Sequence, residues 1–444
     1  MPRRLFGTDG VRGVAGEQVT AELALALARA ATGRLAPRTD RRPQVLVIRD
    51  TRESGEMLEA AIAAGVAAAG GDALLGGVLP TPAAPLLIRR YGFDLGVVLS
   101  ASHNPYADNG IKFFGGDGDK LSDAVEHEIE AALDRPPPAG AIGRVRAFHG
   151  TLDDYLRELQ LRFGVLDLAG LDVVLDCAHG AAHRAAPEIF RRLGARVTAL
   201  GVHPDGRNIN EGCGSTHVGA LAEAARAGGH DLGFAFDGDA DRVLAVDRHG
   251  MVVDGDELIA LAAVHLRGAG RLPGDGVAVT VMTNYGFHTA MREAGIEVAT
   301  TPVGDRYVLE ELRRRGFALG GEQSGHIIEL GFAPSGDGIA AALLTLEALG
   351  GRDLADRGAM RRLPQRLVNV RVPTPGGLLE SGPVAEAVER ESAALEGRGR
   401  VLVRPSGTEP LVRVMAEAPT EAQAEEACRR LVEAIESVTA VPAE

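Results

Sequence analysis

The chain has 444 residues, 45% hydrophobic and 24% charged, enough apolar surface to exclude disorder over most of its length. Its formal net charge of −14 argues against a nucleic-acid or anionic-membrane binder, since both need a basic footprint. No apolar run reaches the ~18 residues of a membrane span, no signal-type segment follows the arginines of Met1–Phe6, and Cys177, Cys213 and Cys428 lie too far apart for a disulfide framework or zinc site; a cytoplasmic protein with free thiols is expected.

Short β-branched runs alternate with longer alanine- and leucine-rich stretches along the chain. Val45–Arg49 reads as a strand before a helix over Gly55–Ala69. Leu95–Ser100 reads as a strand followed, after a loop and a short strand, by a helix over Leu121–Leu133. The rhythm returns at Leu171–Asp176, Arg184–Leu193, Val197–Leu200 and Leu232–Asp237, and again from Glu257–Arg267 through Val277–Val281, Gly286–Ala294, Glu297–Thr301, Arg306–Arg314 and Ala318–Gly321. Such alternation predicts α/β layers with mostly parallel, buried strands. Arg135-Pro136-Pro137-Pro138-Ala139-Gly140 is a stiff linker, Met251–Asp256 a weaker boundary, and Gly350–Pro364 closes a third unit. From Gln365 the pattern is strand, helix, strand, strand and the amphipathic stretch Thr420–Val438. The expected fold is α/β: three similar α/β/α layered domains with mixed, mostly parallel sheets over residues 1–148, 149–252 and 253–364, plus a smaller C-terminal α+β domain over 365–444. No repeat is visible at the level of letters.

Four polar, glycine-rich loops each follow a strand, where α/β proteins place ligands. Ser100-Ala101-Ser102-His103-Asn104-Pro105, running on to Lys112, is either a turn with solvated hydroxyls or a serine held out of the strand end for covalent chemistry. No G-x-S-x-G elbow occurs, which argues against a serine hydrolase. Asp237-Gly238-Asp239-Ala240-Asp241-Arg242 follows the apolar strand Leu232–Phe236. Three alternating carboxylates offer hard oxygens to one divalent cation. At ~4 Å and an effective dielectric near 20, each like pair costs about 4 kcal/mol without one. An EF-hand needs glycine and glutamate where Arg242 and Arg248 stand. Gly320-Gly321-Glu322-Gln323-Ser324-Gly325-His326 suits either a polyol contact or a plain β-turn. Arg404-Pro405-Ser406-Gly407-Thr408-Glu409-Pro410, with Arg413 beyond it, is an anion nest or an ordinary turn. His179 and His183 have no acidic third ligand beside them, Gly336-x-Gly338-x-x-Ala341 does not leave a strand directly, and no G-x-x-x-x-G-K-[ST] is present, so a zinc pair, a dinucleotide fingerprint and a P-loop are set aside. Together the four loops are the equipment of metal-assisted phosphoryl transfer on a phosphosugar.

With Phe6-Gly7-Thr8-Asp9-Gly10-Val11-Arg12-Gly13, S-A-S-H-N-P, D-G-D-A-D-R, G-E-Q-S-G-H and R-P-S-G-T-E-P in this order, the whole chain resembles the α-D-phosphohexomutase superfamily and, within it, the bacterial phosphoglucosamine mutases. The resemblance implies that Ser102 is a phosphoserine whose phosphate joins Asp237, Asp239 and Asp241 around one Mg²⁺ per subunit. It implies Lys112, His326 and Arg12 as acid/base or charge-stabilising groups. Arg242, Glu322 and Ser324 would contact the sugar, and Arg404, Ser406, Gly407, Thr408 and Arg413 the distal phosphate. Further implications are a phosphosugar substrate, a hexose 1,6-bisphosphate as intermediate and activator, and a monomer or homodimer supplying amino sugar to cell-wall precursors. His179 stands where related sequences commonly carry asparagine, in a loop expected to be structural. The alternatives are a phosphomannomutase/phosphoglucomutase, a phosphosugar-binding regulator without turnover, and a Mg²⁺-dependent phosphatase.

Overall fold

The computed structural model describes residues 5–7, 9–35, 41–135, 142–372, 378, 382–405 and 410–439; the linker over 136–140 and Ser406, Gly407 and Thr408 lie outside them. The chain packs as two units, divided at Met282/Thr283, Gly295/Ile296 and Arg357/Gly358.

The first unit opens with β1 (Val11–Val14), α1 (Ala21–Leu35), β2 (Gln44–Arg49), α2 (Ser54–Ala68), β3 (Asp72–Val78), α3 (Ala83–Tyr91), β4 (Leu95–Leu99), β5 (Asp108–Gly115), α4 (Asp123–Glu130) and β6 (Val145–Ala147). Their sheet runs β1-β5-β4-β2-β3-β6. Next come α5 (Thr151–Phe163), β7 (Asp172–Asp176), α6 (Ala182–Arg192), β8 (Arg196–Leu200), α7 (Gly219–Gly228), β9 (Leu232–Phe236), β10 (Val243–Asp247) and β11 (Val252–Val253), in a sheet ordered β11-β10-β9-β7-β8. The third set is α8 (Gly255–Gly268), β12 (Gly276–Thr280), α9 (Tyr285–Glu293), β13 (Glu297–Thr301), α10 (Asp305–Arg315), β14 (Leu319–Gly321), β15 (Ile327–Glu329) and α11 (Gly338–Leu349), with sheet order β13-β12-β14-β15.

The three sheets share one wiring. A central strand (β2, β7 or β12) pairs in parallel with the next strand on one side and the one after that on the other. That third strand then turns back through a loop into an antiparallel neighbour: β4 to β5, β9 to β10, β14 to β15. The structure thus has three α/β/α domains, a threefold repeat that the letters conceal because only burial and connectivity are kept. β4, β9 and β12 are buried at every position, as expected of strands covered on both faces. Helix α5 has no counterpart among the sequence expectations; it buries Tyr155, Leu156, Leu159 and Phe163.

The second unit carries β16 (Gln365–Arg371), α12 (Gly382–Leu395), β17 (Arg400–Pro405), β18 (Leu411–Glu417) and α13 (Glu421–Thr439), with the antiparallel order β16-β18-β17. Helix α9, although it joins β12 to β13, packs with this unit. The reason is local: fully buried Glu417 accepts the Tyr285 amide at 2.7 Å and pairs with Arg400 Nε at 2.8 Å. Asn284 and Leu363 exchange two further hydrogen bonds.

Asp337 caps α11 by accepting the Ala340 amide at 2.9 Å, and the Tyr155 hydroxyl donates to both its oxygens. Burial lifts its carboxyl from 3.8 to about 7, against these hydrogen bonds. A raised carboxyl pKa favours the fold while protonated, and that contribution disappears as pH rises through about 7. Asp337→Asn, which preserves the cap, is expected to melt above wild type at pH 8 and to lose most of that margin at pH 5. Thermal melts showing the same margin at both pH values would refute the assignment.

Candidate active site

The serine, acidic and glutamate loops are the three equivalent hairpin connections, β4–β5, β9–β10 and β14–β15, so the common wiring delivers all three. Ser102 adopts φ +52°, the left-handed region, which a non-glycine residue occupies only when its surroundings hold it there. Its carbonyl accepts from Arg52 Nη2 at 3.0 Å and Asn210 Nδ2 at 2.9 Å; its amide donates to Ser100 Oγ at 3.0 Å. Its hydroxyl donates to Asp237 Oδ2 at 2.5 Å, and His103 Nδ1 is 3.3 Å away. Arg52 is 0% exposed. It pairs with Asp50 at 2.9 Å and also donates to the carbonyls of Asn104, Pro105 and Asp108. Asp50 in turn accepts Ser100 Oγ at 2.6 Å. Burial pushes the Asp50 carboxyl up and Arg52 pulls it back.

Asp237, Asp239 and Asp241 are all buried, with one carboxylate oxygen of each within 4.8 Å of the others. Asp239 Oδ1 and Asp241 Oδ1 find no hydrogen-bond partner among the described residues. Asp239 Oδ2 is held by Thr81 Oγ1 at 2.7 Å and Lys112 Nζ at 2.9 Å. Burial and the charges of Asp241 and Asp239 drive the Asp237 carboxyl well above the carboxylate range. Asp241 is opposed by burial yet falls well below that range beside His326, Lys112 and Arg242. Hard oxygens in this number, two of them unpartnered, fit a small divalent cation. Gly238 permits the approach of the serine loop, because a Cβ there would meet the Ser102 carbonyl oxygen at 2.5 Å.

Lys112 lies on β5, buried, with Asp239 at 2.9 Å, Asp9 at 3.2 Å and Asp241 at 4.0 Å; these charges raise its pKa although burial opposes it. His326 accepts the Gly336 amide at Nε2, 3.0 Å away, and turns Nδ1 toward Asp241 at 3.6 Å. Arg12 pairs with Asp9. The Arg242 amide donates to Asp237 Oδ1 at 3.2 Å, and its Nε is 3.9 Å from Asp241 Oδ1. Glu322 accepts the Gly304 amide at 3.0 Å, and Ser324 is exposed. Within the second unit, Arg404 and Arg413 are cross-strand partners on β17 and β18. The first unit therefore brings together Ser102, Lys112, Asp237, Asp239, Asp241, Arg242 and His326.

The sequence reading gave no role to Asp9, although it sits in the Phe6–Gly13 motif, nor to Asn210 in the Asn208–Ser215 stretch. It missed Asp50, Arg52, Thr81 and Asp305, which sit in no telling motif. Lys120 carried a signal, as the second of two lysines. Arg52→Met would leave Asp50 buried without its partner, a loss of roughly 3–5 kcal/mol. It should also speed amide exchange across residues 101–108 in native-state hydrogen-exchange measurements; unchanged exchange there would show that Arg52 does not clamp the loop.

Comparison with known proteins agrees with this architecture. The phosphoglucomutase/phosphomannomutase family matches in four consecutive segments: alpha/beta/alpha domain I over residues 3–138, domain II over 153–250, domain III over 254–363 and the C-terminal domain over 367–434. A phosphoglucosamine mutase of Desulforudis audaxviator is 52% identical over 443 residues, covering 98% of each chain. One of Mycolicibacterium vanbaalenii is 51% identical over 440 residues, covering 97% of this chain and 99% of the other. The crystal structure of a phosphoglucomutase/phosphomannomutase family protein from Burkholderia thailandensis shares the fold with a TM-score of 0.82 at 23% identity, covering 99% of both chains. Repeated wiring, convergent loops and full-length similarity lead to one conclusion: the chain belongs to the α-D-phosphohexomutase superfamily, among the phosphoglucosamine mutases.

Proposed function

We propose that this chain interconverts glucosamine 6-phosphate and glucosamine 1-phosphate, with Ser102 as the phosphoryl carrier. The observation that carries the reading is the Ser102 hydroxyl, aimed from a strained backbone at Asp237 within a buried group of three carboxylates. Full-length relatives named phosphoglucosamine mutase support the choice of sugar. Phospho-Ser102 gives its phosphoryl group to the free sugar hydroxyl: the Ser102 O–P bond breaks, a sugar O–P bond forms, the sugar hydroxyl proton leaves to a base, and the departing Ser102 oxygen takes up a proton from an acid to become a hydroxyl. The resulting 1,6-bisphosphate turns over and returns its other phosphate to Ser102, so no nucleotide is consumed.

Lys112 and His326, packed against the acidic loop on two sides, would serve with Arg12 as the acid/base or charge-stabilising groups of this transfer, the Arg12 charge standing beside Asp9 near Lys112. A Mg²⁺ ion held by Asp237, Asp239, Asp241 and the Ser102 phosphate would supply electrostatic stabilisation of the transferring phosphoryl group. Glu322 and Ser324 would hydrogen-bond sugar hydroxyls, with Arg242 beside them. Arg404, Arg413 and the loop Ser406-Gly407-Thr408 would hold the distal phosphate by charge-assisted hydrogen bonds. No helix of the described residues is long and apolar enough to cross a membrane. We place the enzyme in the cytoplasm, supplying amino sugar for cell-wall precursors.

Ser102→Ala is expected to fold and to lose mutase activity, because no other carrier is proposed. A coupled assay should rank glucosamine 1-phosphate above glucose and mannose 1-phosphates. Preference for mannose or glucose phosphate would move the chain to phosphomannomutase/phosphoglucomutase activity, and turnover by Ser102→Ala would remove the carrier. Arg404→Ala and Arg413→Ala should each raise KM by the equivalent of about 1.5–3 kcal/mol; unchanged KM in both would place the distal phosphate elsewhere.

A further inference from the structure

Lysine stands at two positions of this arginine-rich chain, Lys112 and Lys120. The mutase reading uses the first. Lys120, on the turn after β5, puts Nζ 2.5 Å from Asp9 Oδ1 and 2.6 Å from Asp305 Oδ2. Each of those carboxylates approaches one of Lys112 and His326. Asp9 Oδ2 lies 3.2 Å from Lys112 Nζ; Asp305 Oδ2 lies 3.6 Å from His326 Nε2, the nitrogen that accepts the Gly336 amide, so this second link is one of charge and proximity and not a hydrogen bond. The circuit closes on the acidic loop, from Lys112 to Asp239 at 2.9 Å and from His326 Nδ1 to Asp241 at 3.6 Å. Lys120 is the charged member farthest round this ring from the acidic loop; it bridges the Lys112 half and the His326 half on that side, as Asp241, 4.0 Å from Lys112 Nζ and 3.6 Å from His326 Nδ1, does on the other.

Nearby ion pairs mark the difference between a fastener and this bridge. Arg306–Asp123 and Arg313–Asp119 tie the same stretch of the first domain to α10 through side chains open to solvent, where pairs contribute little. Lys120 lines a cavity of about 380 Å³ with Asp9, Lys112 and Asp305, and Arg306 and Arg313 line it too. What sets Lys120 apart is that its two carboxylates approach Lys112 and His326, the groups beside the acidic loop. A compact ammonium can sit between two carboxylates at this spacing, whereas a guanidinium presents a planar fork of different reach.

We propose that Lys120 is a positioning residue for phosphoryl transfer: by bridging Asp9 and Asp305 it fixes Lys112 and His326 relative to one another without touching the substrate. The proposal rests on the mutase reading. Loss of the bridge leaves substrate contacts in place and displaces the acid/base or charge-stabilising groups, so the effect falls on kcat.

The test assays Lys120→Ala beside wild type on glucosamine 1-phosphate with saturating Mg²⁺. Methylammonium chloride is compared with sodium chloride at equal ionic strength. The expected result is a fall in kcat of about 10–100-fold with KM held within about twofold, relieved by methylammonium, which is small enough to enter the cavity, and not by sodium. Wild-type kcat in the folded variant, a loss carried by KM, or a loss that methylammonium does not relieve would each overturn the proposal. If Lys120→Ala does not fold, Asp305→Asn takes its place, where reduced kcat at unchanged KM supports the bridge and wild-type kcat overturns it. A wild-type protein that turns over none of the glucosamine, glucose and mannose phosphates would overturn the mutase reading itself and the bridge with it.

Discussion

Three carboxylates buried within 4.8 Å of one another are the constraint around which the first unit is arranged. Each like pair costs about 4 kcal/mol at ~4 Å even in a polarisable surrounding, and burial adds to that cost. The fold answers in three ways. Lys112 comes in from β5, His326 from the β14–β15 loop, and the Ser102 hydroxyl donates to Asp237. Thr81 takes one oxygen of Asp239, while the unpartnered oxygens of Asp239 and Asp241 stay turned inward. Such a centre is poised to accept a divalent cation, whose two positive charges would offset two of the three carboxylate charges.

The common wiring explains how such distant segments meet. Each domain presents the loop between the antiparallel pair of its shared wiring (β4–β5, β9–β10 or β14–β15), and backbone contacts hold these loops to neighbouring segments. The Thr81 amide donates to the Asp239 carbonyl at 2.9 Å, Val243 to Gly325 at 3.1 Å, and Gly338 to Ala240 at 2.9 Å. Strain is concentrated at the same place: Ser102 and Ala240 both have positive φ without being glycine. A strained serine needs a rigid seat, and the Asp50–Arg52 pair with Asn210 supplies it. Arg52 spends its donors on loop carbonyls, which fixes the backbone as well as the side chain.

Much of this was legible in the amino-acid order. Periodicity and turn chemistry are local properties, so β4, β9 and α13 fall within a few residues of where the pattern puts them. The alternating aspartates of 237–241 announce their chemistry because no ordinary turn benefits from three mutually repelling charges. The S-A-S-H-N-P stretch stayed ambiguous on its own residues, as a turn and an exposed nucleophile look alike until a partner is seen.

Tertiary structure alone decided which groups meet. Asp9, Lys120 and Asp305 are separated by up to 296 positions between Asp9 and Asp305, and each is an ordinary charged residue in its own segment. With so many arginines and acids in the chain, local sequence cannot say which pairs with which; the strand order and close backbone contacts make that choice. The same holds for α9, whose amphipathic pattern marks a helix between two strands of one sheet. The buried carboxylate of Glu417, 132 positions from Tyr285, together with the Asn284–Leu363 hydrogen bonds, draws that helix into the second unit. Sequence by itself determined the elements and the chemistry of the loops, because these follow from neighbours along the chain. Partnership between charges was left to the folded structure, because electrostatic attraction depends on distance in space and burial.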